Sequence, residues 1–172
     1  YTSDVQVNPL TYNNVCSLPA VHALGEIWST ALWEMYWNLV EAYGFNPNLY
    51  TGVSGNNLAL QLVVDGCKLQ PANPNYVQAR DAILQADLVN NAGKNQFAIW
   101  QAFAKRGLGF SATCSTTTSD NQVTAAFDVP ASQDTATPAA DGVPNLLKAA
   151  FHMNLIASAR ENLPMPTSVI VG

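Results

Sequence analysis

Apolar residues recur between about residues 19 and 43 at the three- and four-residue spacing of one helix face. The residues at this spacing are Val21, Leu24, Trp28, Ala31, Leu32, Met35 and Leu39. Further aromatic residues widen the apolar surface beyond one stripe, which is typical of a helix buried on most sides. Ser17 is a candidate N-cap and Pro19 suits a first turn, whereas Gly44 ends the helix.

The same pattern predicts three more helices, over about residues 57–69, 74–89 and 95–106. A short fifth helix is expected over about residues 144–153. The aromatic side chains with helical spacing are expected in the core, with a ligand pocket as the alternative; they are Trp28, Trp33, Tyr36, Trp37, Trp100 and Phe103. The predicted fold class is therefore mainly α, a helical bundle with an irregular C-terminal tail.

The amino-acid composition argues against two classes of binding partner, nucleic acids and membranes. Of the 172 residues, 11% are charged, and seven Lys and Arg against 12 Asp and Glu give a formal net charge of −5. No basic surface exists to neutralise phosphates, so we expect no nucleic-acid partner. The apolar stretches are too short to span a bilayer, so we expect no membrane partner. Few charges together with many Asn, Ser and Thr residues are typical of a secreted protein.

The segment around His22 is the first candidate for chemistry. His22 and Glu26 lie four residues apart near a helix start and share one face. An imidazole beside the positive end of a helix can stabilise an oxyanion, and Gly25 leaves room for a ligand to approach. The alternative is a buried histidine whose ring nitrogens are satisfied by Glu26 and a backbone group.

Other sites have weaker support in the sequence. Cys16, His22 and Glu26 match no known ligand spacing, and HExxH is absent, so we expect no metal bound by this chain alone. Arg80, in the middle of a helix poor in charge, is interpreted as half of a structural ion pair, with substrate carboxylate binding as the alternative. Its candidate partners are Asp81, Asp65, Asp87 and Glu34. Asp141 matches one acidic position of the calcium-loop pattern D-x-D-x-D-G, and the other acidic positions of that pattern are not acidic in this sequence.

Several motifs occur in one order along the chain. They are NPLTY at 8–12, AVHALGEIW at 20–28, LWEMYWNL at 32–39, LVVDG at 62–66, LQP at 69–71, NPNYVQARDAIL at 73–84 and AFAKRGLG at 102–109. This series resembles the C-terminal lobe of fungalysin-type secreted zinc metallopeptidases, which are distant relatives of thermolysin. The resemblance covers residues 1 to about 130. It implies a helical C-terminal lobe over residues 1–130, followed by a linker and degenerate tail over residues 131–172.

The resemblance also implies a division of labour. In the family, an upstream lobe carries HExxH and a further Glu, which hold zinc and supply the general base. The C-terminal lobe walls the cleft and contributes a His in a V-H-x-x-G setting, which stabilises the oxyanion formed when zinc-activated water attacks the peptide carbonyl. His22 is the matching residue here, so the resemblance implies that role for it.

The chain departs from the family pattern in two places. Cys16, Ser17 and Leu18 occupy the stretch where an acidic residue often orients the catalytic His, which leaves Glu26 as the candidate orienter. A cysteine pair implied for fungal members is replaced by Ala72 and Phe97.

The preferred hypothesis is the C-terminal lobe of a secreted zinc endopeptidase, inactive without its zinc-binding lobe. Its expected partners are that N-terminal lobe and a peptide or protein substrate, with zinc as the cofactor of the parent enzyme. The alternative is a stand-alone, non-catalytic helical module for binding or scaffolding. The two hypotheses differ in one respect: half an enzyme leaves the surface around His22 uncovered, whereas a stand-alone module buries it.

Overall fold

The computed structural model describes residues 2–18, 20–114 and 122–134. A 3-10 helix at Tyr12–Cys16 leads into four long helices, followed by two short strands and a single helical turn. The elements are α1 (Val21–Tyr43), α2 (Gly55–Leu69), α3 (Tyr76–Asn91), α4 (Gln96–Lys105), β1 (Thr113–Cys114), β2 (Val123–Thr124) and α5 (Ala131–Asp134). The described residues are thus mainly helical, which confirms the predicted fold class. The fifth helix predicted at 144–153 lies outside the described residues.

The start of α1 differs from the prediction. Ser17 does not cap α1, because its hydroxyl donates to the Asn14 carbonyl at 2.9 Å and closes the 3-10 helix. The helix begins at Val21 with Ala20 as N-cap, and no side chain caps it. Gly44 ends α1 as predicted, with a φ of +77°. The first turn of α1 therefore carries backbone N–H groups without a side-chain partner from its N-cap.

The core lies between α1 and the other three long helices. Helix α1 packs against α2 on one side and α4 on the other, and α3 packs against α2. The larger apolar side chains that are fully or almost fully buried are Ile27, Met35, Leu39, Leu62, Ile83, Ile99, Phe103 and Leu108. Burial of these side chains supplies the main stabilisation of the bundle.

A buried ion pair joins the first long helix to the end of the last. Glu34 and Arg106 are both almost completely buried, and the Arg106 Nε donates to Glu34 Oε1 at 2.8 Å. Arg106 also donates to the carbonyls of Asn8 and Leu10, at 2.6 and 3.2 Å. Lys105 reaches the other Glu34 oxygen at 2.8 Å. Glu34 is therefore the partner of Arg106 and Lys105, not of Arg80.

The segment after α4 folds onto the bundle. Strands β1 and β2 are antiparallel, with Thr113 opposite Thr124 and Cys114 opposite Val123. The sequence pattern predicts no strand in this region, which is rich in Ser and Thr. Val129 packs against the core, and α5 occupies the first residues of the segment interpreted as a linker and tail from residue 131. The lobe boundary at residue 130 stays a prediction.

Two glycines in long helices differ in the space around them, so replacing each by alanine is expected to change the free energy of unfolding in opposite directions. A Cβ at Gly55 would lie 2.0 Å from the Leu39 carbonyl oxygen, so we expect Gly55→Ala to lower the free energy of unfolding by about 2–3 kcal/mol. A Cβ at Gly25 meets nothing within 4 Å, so Gly25→Ala is expected to raise it by about 0.8 kcal/mol. Urea unfolding followed by circular dichroism measures both. Equal effects of the two substitutions would contradict the close approach of α2 to α1 at Gly55.

Candidate functional site

His22 lies in the first turn of α1 with its side chain exposed. Glu26 is exposed one turn further along, and no hydrogen bond or ion pair joins the two side chains among the described residues. The alternative of a buried histidine satisfied by Glu26 therefore does not describe this fold. Val21 beside it is also open to solvent, with 75% of its surface exposed, although the periodic pattern assigned it to the buried face.

Helix α3 holds the first turns of α1 in place. The Tyr76 hydroxyl donates to the Leu24 carbonyl at 2.7 Å, two residues beyond His22. The Tyr76 ring also contacts Trp28 and Tyr12, with ring centres 5.9 and 5.6 Å apart. Sequence reasoning missed Tyr76, because an aromatic residue at the start of a helix is read as core. The signal that could have identified Tyr76 is its hydroxyl, because a half-buried tyrosine hydroxyl needs a hydrogen-bond partner.

An uncovered strip runs along α1 from His22. Successive steps of three or four residues place Glu26, Ser29 and Trp33 on the same face as His22. Gly25 is exposed on this face, and a Cβ built there meets only open space. We call the face defined by His22, Gly25, Glu26, Ser29 and Trp33 the α1 strip. His22, Gly25 and Glu26 are exposed on this strip, whereas Ser29 and Trp33 are half-buried.

Aromatic residues end the α1 strip. Trp33 stacks on Tyr36 with ring centres 5.6 Å apart, and Trp37 meets both rings edge-on. The prediction that these rings belong to the core is wrong for Trp37, which is 45% exposed, and for Trp33, which is only half-buried. Tyr36 is half-buried and packs against the core. Trp100 and Phe103 are buried as predicted.

An apolar groove lies beside these rings, between α1 and α2. Its volume is about 440 Å³, and Leu32, Trp33 and Tyr36 form one wall. Leu60 and Val64 of α2 form the other wall and are 47% and 53% exposed. Apolar surface of this kind next to a candidate site is typical of a surface that another part of a protein covers.

Arg80 is buried and fully engaged by its surroundings. Its Nε and Nη2 donate to Asp81 Oδ1 at 2.9 and 2.7 Å, and its Nη1 donates to the Leu108 and Gly109 carbonyls. The guanidinium lies 4.7 Å from the centre of the Trp100 ring. Asp81 is thus the partner among the four candidate acids. This geometry leaves Arg80 little capacity to bind a substrate carboxylate.

A zinc site does not fit the described part of this chain. No group of three or more His, Cys, Asp or Glu side chains lies close enough there to hold a metal ion. Cys16, His22 and Glu26 are not brought together as a ligand set in residues 2–18 and 20–114. His152 and Asp141 lie outside the described residues. Within that same part, no helix is long and apolar enough to cross a membrane.

The family model of the fungalysin metallopeptidases (M36) matches residues 1–112. The chain belongs to the fungalysin metallopeptidase family. The match includes His22 and all four long helices of the bundle. It confirms the family expected from the motifs between residues 8 and 109.

Named relatives are secreted fungal proteins. An extracellular metalloproteinase MEP from Neosartorya fischeri is 54% identical over 118 residues, 65% of this chain and 19% of the relative. Its counterpart from Aspergillus fumigatus is 53% identical over the same shares, and extracellular metalloproteinase 10 from Coccidioides posadasii is 50% identical over those shares. The chain thus spans about a fifth of the length of these relatives.

Proposed function

We propose that this chain is the C-terminal lobe of a secreted zinc endopeptidase, in which it walls the substrate cleft and supplies His22 to the reaction. The uncovered α1 strip carries the proposal. His22, Gly25 and Glu26 are exposed, and the strip continues into an open apolar groove. A stand-alone module would bury such a surface within itself, so the exposure favours half of an active site over the scaffolding alternative.

The partner in this proposal is an upstream lobe that carries the zinc. The extracellular fungal metalloproteinases similar to this chain extend well beyond it, since the matched region is 19% of their length. Family membership and the names of these relatives support zinc in the parent enzyme and a location outside the cell. In the complete enzyme the upstream lobe would cover the α1 strip and the apolar groove, and the substrate peptide would lie between the two lobes.

His22 contributes a hydrogen-bond donor at the cleft. When water attacks a peptide carbonyl, negative charge develops on the carbonyl oxygen, and a preorganised N–H donor stabilises that charge more than the uncharged ground state. The backbone of the His22 turn is fixed, because Tyr76 holds the Leu24 carbonyl. Covering the strip would remove water from His22 and strengthen its hydrogen bond to the oxyanion.

A complementation experiment tests the proposal. The purified 172-residue chain is expected to bind no zinc tightly and to leave casein uncleaved, because its described residues offer no metal site. Adding a zinc-loaded upstream lobe of a fungalysin is expected to produce peptidase activity. Zinc analysis and casein hydrolysis, with and without that lobe, measure both outcomes. Stoichiometric zinc with activity in the pure chain would contradict the proposal.

A pair of leucines provides a matched control for the docking surface. Leu60 lines the apolar groove and is 47% exposed, whereas Leu88 on α3 is 54% exposed and lies outside that groove. Leu60→Glu is expected to abolish complementation because it places a charge in an apolar interface. Leu88→Glu is expected to leave complementation unchanged. Equal effects of the two variants would argue that the upstream lobe does not cover this groove.

A further inference from the structure

The start of α1, which carries His22, has little local support of its own. Its N-cap residue, Ala20, makes no side-chain hydrogen bond to the helix, and Gly25 follows within the first two turns. Alanine is a poor N-cap, and glycine weakens a helix because its backbone loses more conformational freedom on folding than that of other residues. A helix start of this kind unwinds readily unless tertiary contacts hold it.

The packing of side chains gives this start only limited support. Val21 is 75% exposed, and His22 is exposed as well. Leu24 is partly buried against the core, and Ile27 is the first buried residue of α1. His22 therefore lies five residues before the first buried position of its helix. The position of its turn depends on the contacts made by Leu24.

A hydrogen bond from α3 acts on Leu24. The Tyr76 hydroxyl donates to the Leu24 carbonyl at 2.7 Å. Leu24 is also the residue that closes the first turn of α1, because its N–H donates to the Ala20 carbonyl at 3.1 Å. The hydrogen bond from Tyr76 thus holds the residue at which the first turn ends, two positions from His22. Movement of the whole turn would require this hydrogen bond to break.

The helix that carries Tyr76 has a well-supported start. Tyr76 is the first residue of α3, and Asn75 is the N-cap of that helix. The Gln78 N–H donates to Asn75 Oδ1 at 2.9 Å, and the Asn75 N–H donates to Gln78 Oε1 at 3.0 Å. This reciprocal pair is a complete capping box. A capped helix start therefore supports the uncapped start of α1.

The Tyr76 ring is held by other aromatic rings. Tyr12 is completely buried, and its ring centre lies 5.6 Å from that of Tyr76. The Trp28 ring meets Tyr76 edge-on at 5.9 Å and contacts Phe103 at 5.7 Å. Side chains packed in this way keep one rotamer. The hydroxyl of Tyr76 consequently stays directed at the Leu24 carbonyl.

We propose that Tyr76 is a positioning residue for His22, an inference that rests on the proposed function of His22 in the reaction. In this role Tyr76 contacts neither zinc nor substrate and acts through the backbone of α1. A catalytic donor has to stay within about 0.5 Å of its productive position. Loosening the His22 turn therefore lowers kcat more than it weakens substrate binding.

Hydrogen exchange on the isolated 172-residue chain tests whether Tyr76 holds the turn. Tyr76→Phe keeps the ring and removes the hydroxyl. We expect the amides of residues 24–26 to exchange about five- to tenfold faster in this variant, which is the effect of losing one hydrogen bond. Exchange is measured by NMR and needs no upstream lobe. Unchanged exchange of these amides would overturn the inference.

Tyr43→Phe is the matched control, because it removes the same group at the other end of α1. The Tyr43 hydroxyl donates to Asn95 Oδ1 at 2.6 Å. Helix α1 has 23 residues, and a rise of about 1.5 Å per residue places Tyr43 about 30 Å from His22. We expect exchange of residues 24–26 to change less than about twofold in Tyr43→Phe. Equal acceleration by the two substitutions would also overturn the inference.

Kinetics of the complemented enzyme test whether Tyr76 acts through His22. Tyr76→Phe is expected to lower kcat about tenfold and to change KM less than about twofold, whereas Tyr43→Phe leaves both constants unchanged. In the His22→Ala background, Tyr76→Phe is expected to change kcat less than about twofold, because no imidazole remains to be positioned. Steady-state rates of the two single variants, the double variant and the unmodified chain complete this cycle.

The outcomes of the cycle separate this inference from the proposed function. An equal loss of kcat from Tyr76→Phe in both backgrounds would mean that Tyr76 acts independently of His22, which would overturn the inference. A loss in His22→Ala with none in Tyr76→Phe would overturn it and leave the proposed function intact. No loss in His22→Ala would overturn the proposed function and the positioning role with it. Urea unfolding of each variant confirms that the fold is retained.

Discussion

His22→Ala is expected to lower kcat of the complemented enzyme by about two to three orders of magnitude, with little change in KM. The reason is that the imidazole donates to an oxygen that carries negative charge only in the transition state, so its loss affects chemistry more than substrate binding. Steady-state kinetics on a peptide substrate measure both constants. The isolated chain should unfold at the same urea concentration as before, because the His22 side chain is exposed and makes no hydrogen bond in the described residues.

Two further variants distinguish the role of His22 as a hydrogen-bond donor from a role of Glu26 in orienting His22. His22→Gln retains an N–H donor and is expected to recover part of the lost kcat. Glu26→Gln is expected to change kcat by less than about threefold, because no bond joins Glu26 to His22 in the structure. A large loss of kcat in Glu26→Gln would instead identify Glu26 as the residue that orients His22. A negligible effect of His22→Ala would remove His22 from the reaction.

Arg106→Met is expected to lower the free energy of unfolding by about 3–5 kcal/mol, which is the effect of breaking a buried ion pair at one partner. The substitution leaves the Glu34 carboxylate buried and takes the donor away from the carbonyls of Asn8, Leu10 and Thr2. Urea unfolding of the full chain measures the loss, since the midpoint falls while the slope stays constant.

Lys105 provides the matched control for this prediction. It contacts the same carboxylate of Glu34, but its side chain is 41% exposed. Lys105→Met is therefore expected to cost less than about 1 kcal/mol. The double variant Glu34→Met with Arg106→Met is expected to be more stable than Arg106→Met alone, because no uncompensated charge remains buried. A loss from Arg106→Met no larger than that from Lys105→Met would mean that the buried pair contributes little.

The sequence predicts the helices well because their signal is local. Apolar spacing and turn residues located the four long helices, and each observed end lies within two residues of the predicted one. The start of α1 was misplaced because the Ser17 hydroxyl has a closer acceptor in the preceding turn. Strands of two residues, such as β1 and β2, carry no periodic pattern that could predict them.

Burial and pairing were less predictable because they depend on distant residues. The spacing that identifies Trp33 and Trp37 as apolar positions of a helix does not say whether this chain or another one covers that face. Glu34 and Arg106 are 72 residues apart, and only the packing of α1 on α4 brings them together. The residue type and setting of His22 predicted a candidate site, whereas its exposure required the structure.

The hydrogen bonds from Arg106 to carbonyls within residues 2–10 affect the order in which the chain folds. The hydrogen bond from Arg106 to the Thr2 carbonyl spans 104 residues, nearly the whole of the matched family region. Contacts between such distant residues carry a large loop-closure entropy and form late. During synthesis the first ten residues therefore cannot take their final positions until the end of α4 has left the ribosome. A chain truncated before Arg106 would keep most of its helices but lack the hydrogen bonds that fix its first ten residues to the bundle.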